Sequence, residues 1–305
     1  MTQIFNELSL HLYTLNNPIF FGLWGLVVGS FLNVVVYRVP KIMEQNWAQG
    51  LIDTLKDLEA LKSIFSSQLA EKLFKANSEI AYVSKDTIKN LSVPSSHCPQ
   101  CGKKISWYEN IPVISWIFLK GRCSHCQTKI SVQYPLVELI TGICFTAIPL
   151  LGTNFSLIQN MVYTTLSAVF ISLILIDYKK QLLPDVLLGW TLLGTLFIYS
   201  QNWAAISLEK GLLSGLICFC VLFFLSVAGK AWKGVAMMGD GDIKLVFILG
   251  LYISPLQIPY AFTLAFGLFI LQVLVIEKTA ALKKSHPFGP SLIVSFLALQ
   301  SILLF

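Results

Sequence analysis

The sequence predicts an all-α polytopic membrane protein with about eight transmembrane helices and one polar insertion after the first of them. Of the 305 residues, 55% are hydrophobic and only 12% are charged, and the mean hydropathy is +0.70. These values lie outside the range of an ordinary soluble domain. Apolar runs recur along the chain, and a single long polar stretch, residues 40–134, interrupts them. The chain is therefore expected to lie mostly within the lipid bilayer, with one sizeable domain outside it.

Each apolar run has about the length, roughly 20 residues, that crosses a hydrocarbon core of about 30 Å. The sixth run is short. The first follows residues 1–17, which contain no Lys or Arg and therefore lack the basic region of a cleavable signal peptide. We expect the first run to be a retained span. The eight predicted spans are 18–39, 135–153, 157–176, 183–200, 209–229, 242–256, 257–277 and 287–305.

The cations predict the orientation of these spans. With eight crossings, the segments 40–134, 177–182, 230–241 and 278–286 lie on one side of the membrane. They and the adjoining span ends hold nearly every Lys and Arg, and only Lys210 falls on the other side. Cationic loops stay in the cytoplasm, so this side is predicted to be cytoplasmic and both termini to be periplasmic. The net charge of +6 is thus a topological signal and requires no nucleic-acid partner.

The polar stretch separates an N-terminal segment with the first span, residues 1–39, from a seven-helix membrane domain, residues 135–305. Within it, residues 43–92 carry leucine and isoleucine at helical spacing among charged residues, which predicts one or two amphipathic helices with a packing face. The apolar positions are Leu51, Leu55, Leu58, Leu61, Ile64, Leu69 and Leu73.

The rest of the stretch holds two Cys-x-x-Cys pairs, separated by 21 residues. This spacing suits two knuckles that close on one tetrahedral zinc ion. The cytoplasm keeps thiols reduced, which disfavours disulfides, while an iron cluster or a redox pair remains an alternative. Four thiolates close the coordination sphere, so the expected zinc is structural. His97 and His125 flank the pairs as possible substitute ligands. The predicted ligands are Cys98, Cys101, Cys123 and Cys126.

Two aspartates stand at the ends of predicted spans. Asp177 ends the third span and Asp242 begins the sixth, and the intervening chain crosses the membrane twice, so both are predicted at the cytoplasmic face. Ionisable groups near lipid mark functional sites, and a pair of carboxylates is the minimum for aspartic-protease chemistry. The alternative is that Asp242, and likewise Asp185, caps a helix N-terminus. Gly239 and Gly241 favour catalysis, since they leave room for a peptide backbone to approach.

Four further segments carry motifs in a fixed order: Gly29–Pro40, Asn110–Cys123, Tyr134–Glu138 and Pro287–Pro290. Together with the aspartate and cysteine motifs, they resemble the type IV prepilin peptidases, also called prepilin leader peptidase/N-methyltransferases. The resemblance covers nearly the whole chain. One departure is Gln133, where the resemblance leads us to expect an arginine.

The resemblance implies that Asp177 and Asp242 are the catalytic pair of an aspartic endopeptidase and that Asp185 and Asp240 are only neighbours. It also implies the substrates: prepilins or pseudopilins of a type IV pilus or type II secretion system, cleaved at the cytoplasmic face of the bacterial inner membrane. Cleavage would follow a glycine at the end of a short basic leader. One carboxylate would activate water as a general base while the other, protonated, polarises the scissile carbonyl.

A second implied activity is methylation of the new N-terminal amine by S-adenosylmethionine. No Gly-x-Gly-x-x-Gly turn between a strand and a helix supports a nucleotide-binding site, and the residues that bind the methyl donor remain unknown. Glu109 and Glu138 are polar candidates for recognition of the amine.

Two functions of other classes are compatible with parts of the pattern. A transporter or channel can use paired interfacial carboxylates as an ion site. A non-enzymatic assembly scaffold can use a zinc domain for docking and the aspartates as helix caps.

Overall fold

The structure, a computed structural model, describes residues 16–60, 88, 90–93, 95–234, 238–277 and 286–304. Within these ranges the protein is helical and contains no β-strand beyond two isolated bridges. Short 3-10 turns cover Trp107–Asn110 and Pro255–Gln257. The α-helices are α1 (Pro18–Ala60), α2 (Ile114–Phe118), α3 (Gln133–Leu151), α4 (Leu157–Lys180), α5 (Asp185–Ser200), α6 (Leu208–Lys233), α7 (Asp240–Gly250), α8 (Ile258–Glu277) and α9 (Gly289–Leu304).

Among the residues that the structure describes, five segments are long and apolar enough to cross a membrane, which makes the protein a multi-pass membrane protein. Every predicted apolar segment contains a helix, but the count of eight spans is not confirmed. The 11 residues of α7 rise only about 16 Å at about 1.5 Å per residue, whereas the hydrocarbon core is about 30 Å thick. The five segments are Pro18–Thr54, Gln133–Leu151, Leu157–Lys180, Leu208–Trp232 and Pro255–Val275.

The first helix is longer than its predicted span. It continues through Pro40 and ends at Ala60, so the start of the predicted amphipathic stretch is an extension of the first membrane helix. Leu51, predicted on a packing face, is exposed, whereas Ala48 and Ile52 are buried. The expected packing register was wrong at Leu51 because the buried face of α1 lies one residue away from it. Most of the remaining stretch, residues 61–87, lies outside the described residues.

Helices α1 and α3 approach closely because glycines face their contact. A Cβ atom at Gly25 would lie 2.8 Å from the carbonyl oxygen of Thr141. One at Gly29 would lie 2.7 Å from the Cα atom of Glu138. Small residues allow such backbone contacts between membrane helices, where dispersion forces drive association. The cysteine-containing region lies between α1 and α3 in the chain, so the two helices of this interface flank that region in the sequence.

The larger core lies among the C-terminal helices. Leu173 of α4, Leu245 and Leu249 of α7, and Leu292 and Phe296 of α9 are fully buried there. Helix α9 contacts both α4 and α7, and α7 also packs against α5 and α6. The cytoplasm-facing end predicted for α4 and the start of α7 are therefore brought together around the beginning of α9.

Candidate active site and cysteine cluster

Asp177 lies in the last turn of α4, and only 5% of its surface is exposed. The helix ends at a left-handed cap, Gln181, whose N–H donates to the Asp177 carbonyl oxygen at 2.8 Å. The cap thus fixes the backbone at Asp177. The Oδ2 atom of Asp177 accepts a 3.1 Å hydrogen bond from the N–H of Gly289, at the start of α9.

Asp242 lies in the first turn of α7 and is partly buried. The N-cap is Gly239, so Asp242 does not stand at the N-cap position that the alternative interpretation gave it, although its carboxylate takes a hydrogen bond from the backbone of Gly239. The backbone explains this difference, because α7 starts at Asp240 and Asp242 is already its third residue. The Oδ1 atom of Asp242 is buried and has no hydrogen-bond partner among the described residues. A buried oxygen without a partner is costly and requires a reason.

The two carboxylates lie within electrostatic range of each other. Asp177 is brought there by the end of α4 and Asp242 by the start of α7, and α9 contacts both helices. The prediction that the two aspartates share one face of the membrane domain therefore agrees with their juxtaposition. Two neighbouring carboxylates disfavour ionisation of both at once, a condition that general acid and base catalysis by such a pair would use.

The neighbouring aspartates have different surroundings. Asp185 is the first residue of α5, and its predicted capping role was also wrong because Pro184 occupies the N-cap. Its Oδ1 instead accepts a 2.7 Å salt bridge from Lys244, with both side chains more than half exposed. Asp240 is exposed. Exposed carboxylates of this kind are solvated, and the exposed ion pair contributes at most about 1 kcal/mol.

The two glycines before Asp242 differ in what surrounds them. A Cβ atom at Gly241 would lie 2.9 Å from the Cβ atom of Leu183, so Gly241 is needed for packing between the α4–α5 connection and α7. The expectation that it clears a path for a peptide was therefore wrong for this position. At Gly239 the nearest atom to an added Cβ is Oδ2 of Asp242, at 3.4 Å. Only Gly239 leaves open space beside the carboxylate.

The four cysteine sulfurs come together as predicted, all within 4.8 Å of one another. The Sγ atoms of Cys98 and Cys126 are 3.7 Å apart. Sulfurs at the corners of a tetrahedron with Zn–S bonds of about 2.3 Å are about 3.8 Å apart, so the cluster fits a zinc ion. The cluster is capable of holding a metal, whereas His97 and His125 are exposed and lie outside it.

The two knuckles repeat one backbone pattern. The N–H of Cys98 donates to Lys103 and that of Cys123 donates to Thr128, each at 2.9 Å. In both knuckles the residue after the second cysteine has positive φ: Gly102 at 68° and Gln127 at 59°. Two bridges with the same seven-residue offset, His97 to Lys104 and Arg122 to Lys129, close the turns. This repeat directs the four thiols toward a common centre.

The thiols of the cluster have unequal proton affinities. Hydrogen bonds from Thr128 lower the pKa of Cys126 to about 6, and backbone N–H groups in its own turn lower the pKa of Cys98. At Cys101 the backbone of Lys103 lowers the pKa, but desolvation and the adjacent sulfurs outweigh it and raise the pKa to about 11. The lowered pKa values of Cys98 and Cys126 favour the thiolate, the form that binds metals.

The two glutamates considered for amine recognition are occupied by backbone groups. Buried Glu138 accepts a 2.7 Å hydrogen bond from the N–H of Val113, a β-branched residue at φ 60°. Glu109 accepts a 2.8 Å hydrogen bond from the N–H of Ser106. Hydrogen bonds from the Ser124 side chain and from the Ser106 backbone lower the pKa of Glu109. Both carboxylates have structural roles in the cysteine-containing region.

Comparisons with known proteins agree with this arrangement. Residues 23–151 match the bacterial peptidase A24 N-terminal domain, and residues 164–275 match the type IV leader peptidase family. The prepilin leader peptidase/N-methyltransferase of Vibrio cholerae is 30% identical over 91% of this chain and 94% of its own length. That of Neisseria gonorrhoeae is 32% identical over 89% and 85%. No solved structure matches the chain.

A differently named relative also matches. The type 4 prepilin-like proteins leader peptide-processing enzyme of Escherichia coli O78:H11 is 31% identical over 90% of both chains. A helical membrane protein that aligns with such enzymes over 91% of its length is, by class, a membrane-embedded aspartic protease. The chain belongs to the type IV leader peptidase family. This membership favours an enzyme over the transporter and scaffold interpretations.

Sequence reasoning missed one part of the site. The sequence pattern marks Pro287–Pro290 as a motif without indicating a role, whereas in the structure its Gly289 supplies the hydrogen bond to Asp177. The signal was a glycine between two prolines at the start of an apolar run, since Pro290 has no N–H and Gly289 is the last donor before it.

Proposed function

We propose that this protein removes the leader peptide from type IV prepilins or pseudopilins, cleaving after a glycine with Asp177 and Asp242 as the catalytic pair. The observation that carries the proposal is the juxtaposition of these two carboxylates at the ends of separate helices. The names of the relatives supply the substrate class. The buried Oδ1 atom of Asp242 has no hydrogen-bond partner among the described residues, which further supports the proposal. A reacting water or the substrate carbonyl would provide the missing partner.

The proposed reaction is hydrolysis of the peptide bond by an activated water. One carboxylate, ionised, takes a proton from water while the water oxygen bonds to the scissile carbonyl carbon. The other carboxyl group donates its proton to the carbonyl oxygen, which gives a neutral tetrahedral intermediate. When the C–N bond breaks, the leaving nitrogen takes a proton from the first carboxyl group, and the second carboxylate takes a proton from a hydroxyl of the intermediate, which becomes the product carboxylic acid. The pair returns to a single shared proton, so no cofactor is consumed.

We place the reaction at the cytoplasmic face of the inner membrane. Lys179 and Lys180 lie in the last turn of α4, next to Asp177, and Lys244 lies near the start of α7. Cations at these helix ends favour the cytoplasmic side. The cysteine-containing region then lies in the cytoplasm and both termini lie in the periplasm. A substrate with an apolar helix in the membrane would present its leader to the carboxylates from the same side.

We propose that Cys98, Cys101, Cys123 and Cys126 hold one zinc ion with a structural role. The sulfur spacing and the lowered pKa values of Cys98 and Cys126 fit that metal. Four protein ligands fill a tetrahedral coordination sphere. The ion would cross-link two knuckles that otherwise share little buried apolar surface, and the thiols would be its only ligands.

We propose N-methylation of the new N-terminus as a second activity, with S-adenosylmethionine as methyl donor. The relatives carry this activity in their names. The separate match of residues 23–151 to an N-terminal family domain suggests that this region contributes to it.

Cleavage can be tested with protein purified in detergent and a leader-bearing prepilin, by following the mass of the product. We expect Asp177→Asn and Asp242→Asn each to abolish detectable removal of the leader, since an amide neither takes nor gives the required proton. Added S-adenosylmethionine should increase the product mass by one methyl group.

Matched controls are Asp185→Asn and Asp240→Asn, which remove an equal charge from the same end of the protein. Both should retain at least about half of the wild-type rate, because these carboxylates are solvated and outside the pair. Leader removal by either Asn variant at 177 or 242 would overturn the assignment.

A further inference from the structure

The segment Pro287–Gly289, which leads into α9, reaches the candidate active site through one backbone group. Gly289 is the first residue of α9, and its N–H donates to Oδ2 of Asp177 in a buried contact between residues 112 positions apart in the chain. The next residue, Pro290, has no N–H. Gly289 is therefore the last residue before Pro290 that offers a backbone N–H.

We propose that Gly289 is the positioning residue of Asp177: its N–H fixes one carboxylate oxygen, and the absence of a side chain gives the carboxylate its place. This inference rests on the proposed function, in which Asp177 reacts. The N–H of Gly289 donates to a lone pair on Oδ2 of Asp177, so Oδ2 is the carboxylate oxygen that the protein holds as an acceptor. The other oxygen, Oδ1, is left for water or substrate.

Steric contact at position 289 supports the second half of the proposal. A Cβ atom built there would lie 2.6 Å from Oδ2 of Asp177 and 3.2 Å from its Cγ. The first distance is well inside van der Waals contact. The carboxylate has little freedom to yield, because Asp177 is buried and its backbone is fixed by the cap at Gln181. Any side chain at 289 must therefore displace the carboxylate or the turn.

Contacts with α8 hold the residues on either side of Gly289 in place. A side chain at position 289 would therefore displace the carboxylate of Asp177. The buried ring of Phe288 lies 5.3 Å, centre to centre, from the rings of both Phe266 and Phe269 in α8. Gln272 of α8 donates a 3.4 Å hydrogen bond from Nε2 to the carbonyl oxygen of Pro287. Ser291 donates another of the same length to Oε1 of Gln272. These contacts fix the N–H of Gly289 relative to α8.

The kinetic test compares Gly289→Ala with two glycine-to-alanine controls. We expect kcat to fall by about 100-fold with KM changed less than about threefold, because misplacing a reacting group by about 1 Å costs about that factor in the chemical step. Gly189→Ala and Gly267→Ala should keep the wild-type kcat, since an added Cβ at either position meets no atom within 4 Å. A wild-type kcat for Gly289→Ala would overturn the proposal, as would a loss confined to KM.

A second test depends on neither activity nor tolerance of alanine. The Cβ atom built at position 289 lies 3.7 Å from the Cβ of Asp177, within the range of about 3.5–4.5 Å that disulfides span. The pair Asp177→Cys with Gly289→Cys should therefore cross-link under mild oxidation, detected by mass spectrometry of linked peptides. Asp177→Cys with Gly189→Cys should not, because no atom lies within 4 Å of a Cβ at 189.

The two tests separate this inference from the proposed function. If Asp177→Asn is inactive but Gly289→Ala has the wild-type kcat, the pair stands and the positioning role fails. If Asp177→Asn still removes the leader, the proposed function itself fails. If the 177–289 pair does not cross-link while the protein retains its fold, the contact does not exist in solution and the positioning role is wrong.

Discussion

Gly239 and Gly241 precede the same aspartate but meet different atoms. Alanine at 241 places its Cβ 2.9 Å from the Cβ of Leu183, which lies on a short connection and cannot rotate away. We expect Gly241→Ala to lower the free energy of unfolding by about 1–3 kcal/mol, the usual cost of overpacking. Alanine at 239 meets only a carboxylate oxygen at 3.4 Å and should change stability by less than about 0.5 kcal/mol.

Thermal unfolding of the two variants in the same detergent measures this difference. The comparison is well matched because both changes add one methyl group within three residues of Asp242. Equal destabilisation by the two substitutions would mean that Leu183 is not the cause.

Single residues were the least predictable part of the site. The sequence placed Asp177 and Asp242 on one face from the order of spans alone, and their juxtaposition agrees with this. The N-cap positions considered for Asp185 and Asp242 were wrong, because the N-caps are Pro184 and Gly239 and a shift of one to three residues changes which residue caps a helix. The contact of Gly289 with Asp177 links distant parts of the chain, and local sequence patterns carry no signal for such a pair.

At the level of elements, apolar length predicted where helices form but not where they end. Residues 242–256 were expected to form one span, whereas α7 ends at Gly250 and a 3-10 turn follows at Pro255–Gln257. The turn is fixed by a side chain: Oε1 of Gln257 accepts a 2.9 Å hydrogen bond from the N–H of Ser254. Pro255 also disfavours helical geometry in the residue before it. The surrounding residues are apolar, and in the sequence pattern they outweighed the local turn signal of Ser254, Pro255 and Gln257.

The α1–α3 interface depends on backbone contact. Alanine at Gly25 would place Cβ 2.8 Å from the carbonyl oxygen of Thr141 and 2.9 Å from the Cα of Gly142, and backbone atoms cannot turn aside. We expect Gly25→Ala to push the helices apart and lower the free energy of unfolding by about 1–3 kcal/mol. The control is Gly50→Ala in the same helix, where an added Cβ meets no atom within 4 Å; it should be neutral or stabilising by up to about 1 kcal/mol.

Unfolding in detergent, monitored by circular dichroism, distinguishes the two variants of α1. Cysteine alkylation adds a local readout, because Cys144 is partly buried on α3 between the contact residues Gly142 and Phe145. Faster alkylation of Cys144 in Gly25→Ala than in Gly50→Ala is expected if α3 separates from α1. A Gly25→Ala protein as stable as wild type would show that α1 and α3 are not in backbone contact.

On the scale of the whole molecule, the chain combines two parts with separate means of stabilisation. The proposed catalytic carboxylates lie on α4 and α7, and Gly289, proposed to position Asp177, begins α9. Buried side chains of these three helices form one apolar core. The cysteine-containing region, residues 95–132, joins the membrane helices through contacts such as that of Glu138 with Val113. Within this region Cys98 is buried, but large apolar side chains such as Trp107 and Phe118 are exposed. The proposed zinc cross-link would therefore contribute more to its fold than an apolar core does.

Metal removal should accordingly affect this region first. We expect purified protein to contain about one zinc ion per chain by elemental analysis, since four thiolates make one closed site. Cys126→Ser should lower that content at least about fivefold, while Cys220→Ser, which changes an exposed cysteine of α6 outside the cluster, should leave it unchanged.

Trypsin provides the structural readout, because exposed lysines and arginines occur throughout the region, among them Lys104, Lys120 and Arg122. Cleavage there should be slow in the zinc-bound wild type and fast in Cys126→Ser or after chelation. Unchanged metal content in Cys126→Ser would contradict the four-cysteine assignment, and unchanged trypsin resistance after zinc loss would contradict its structural role.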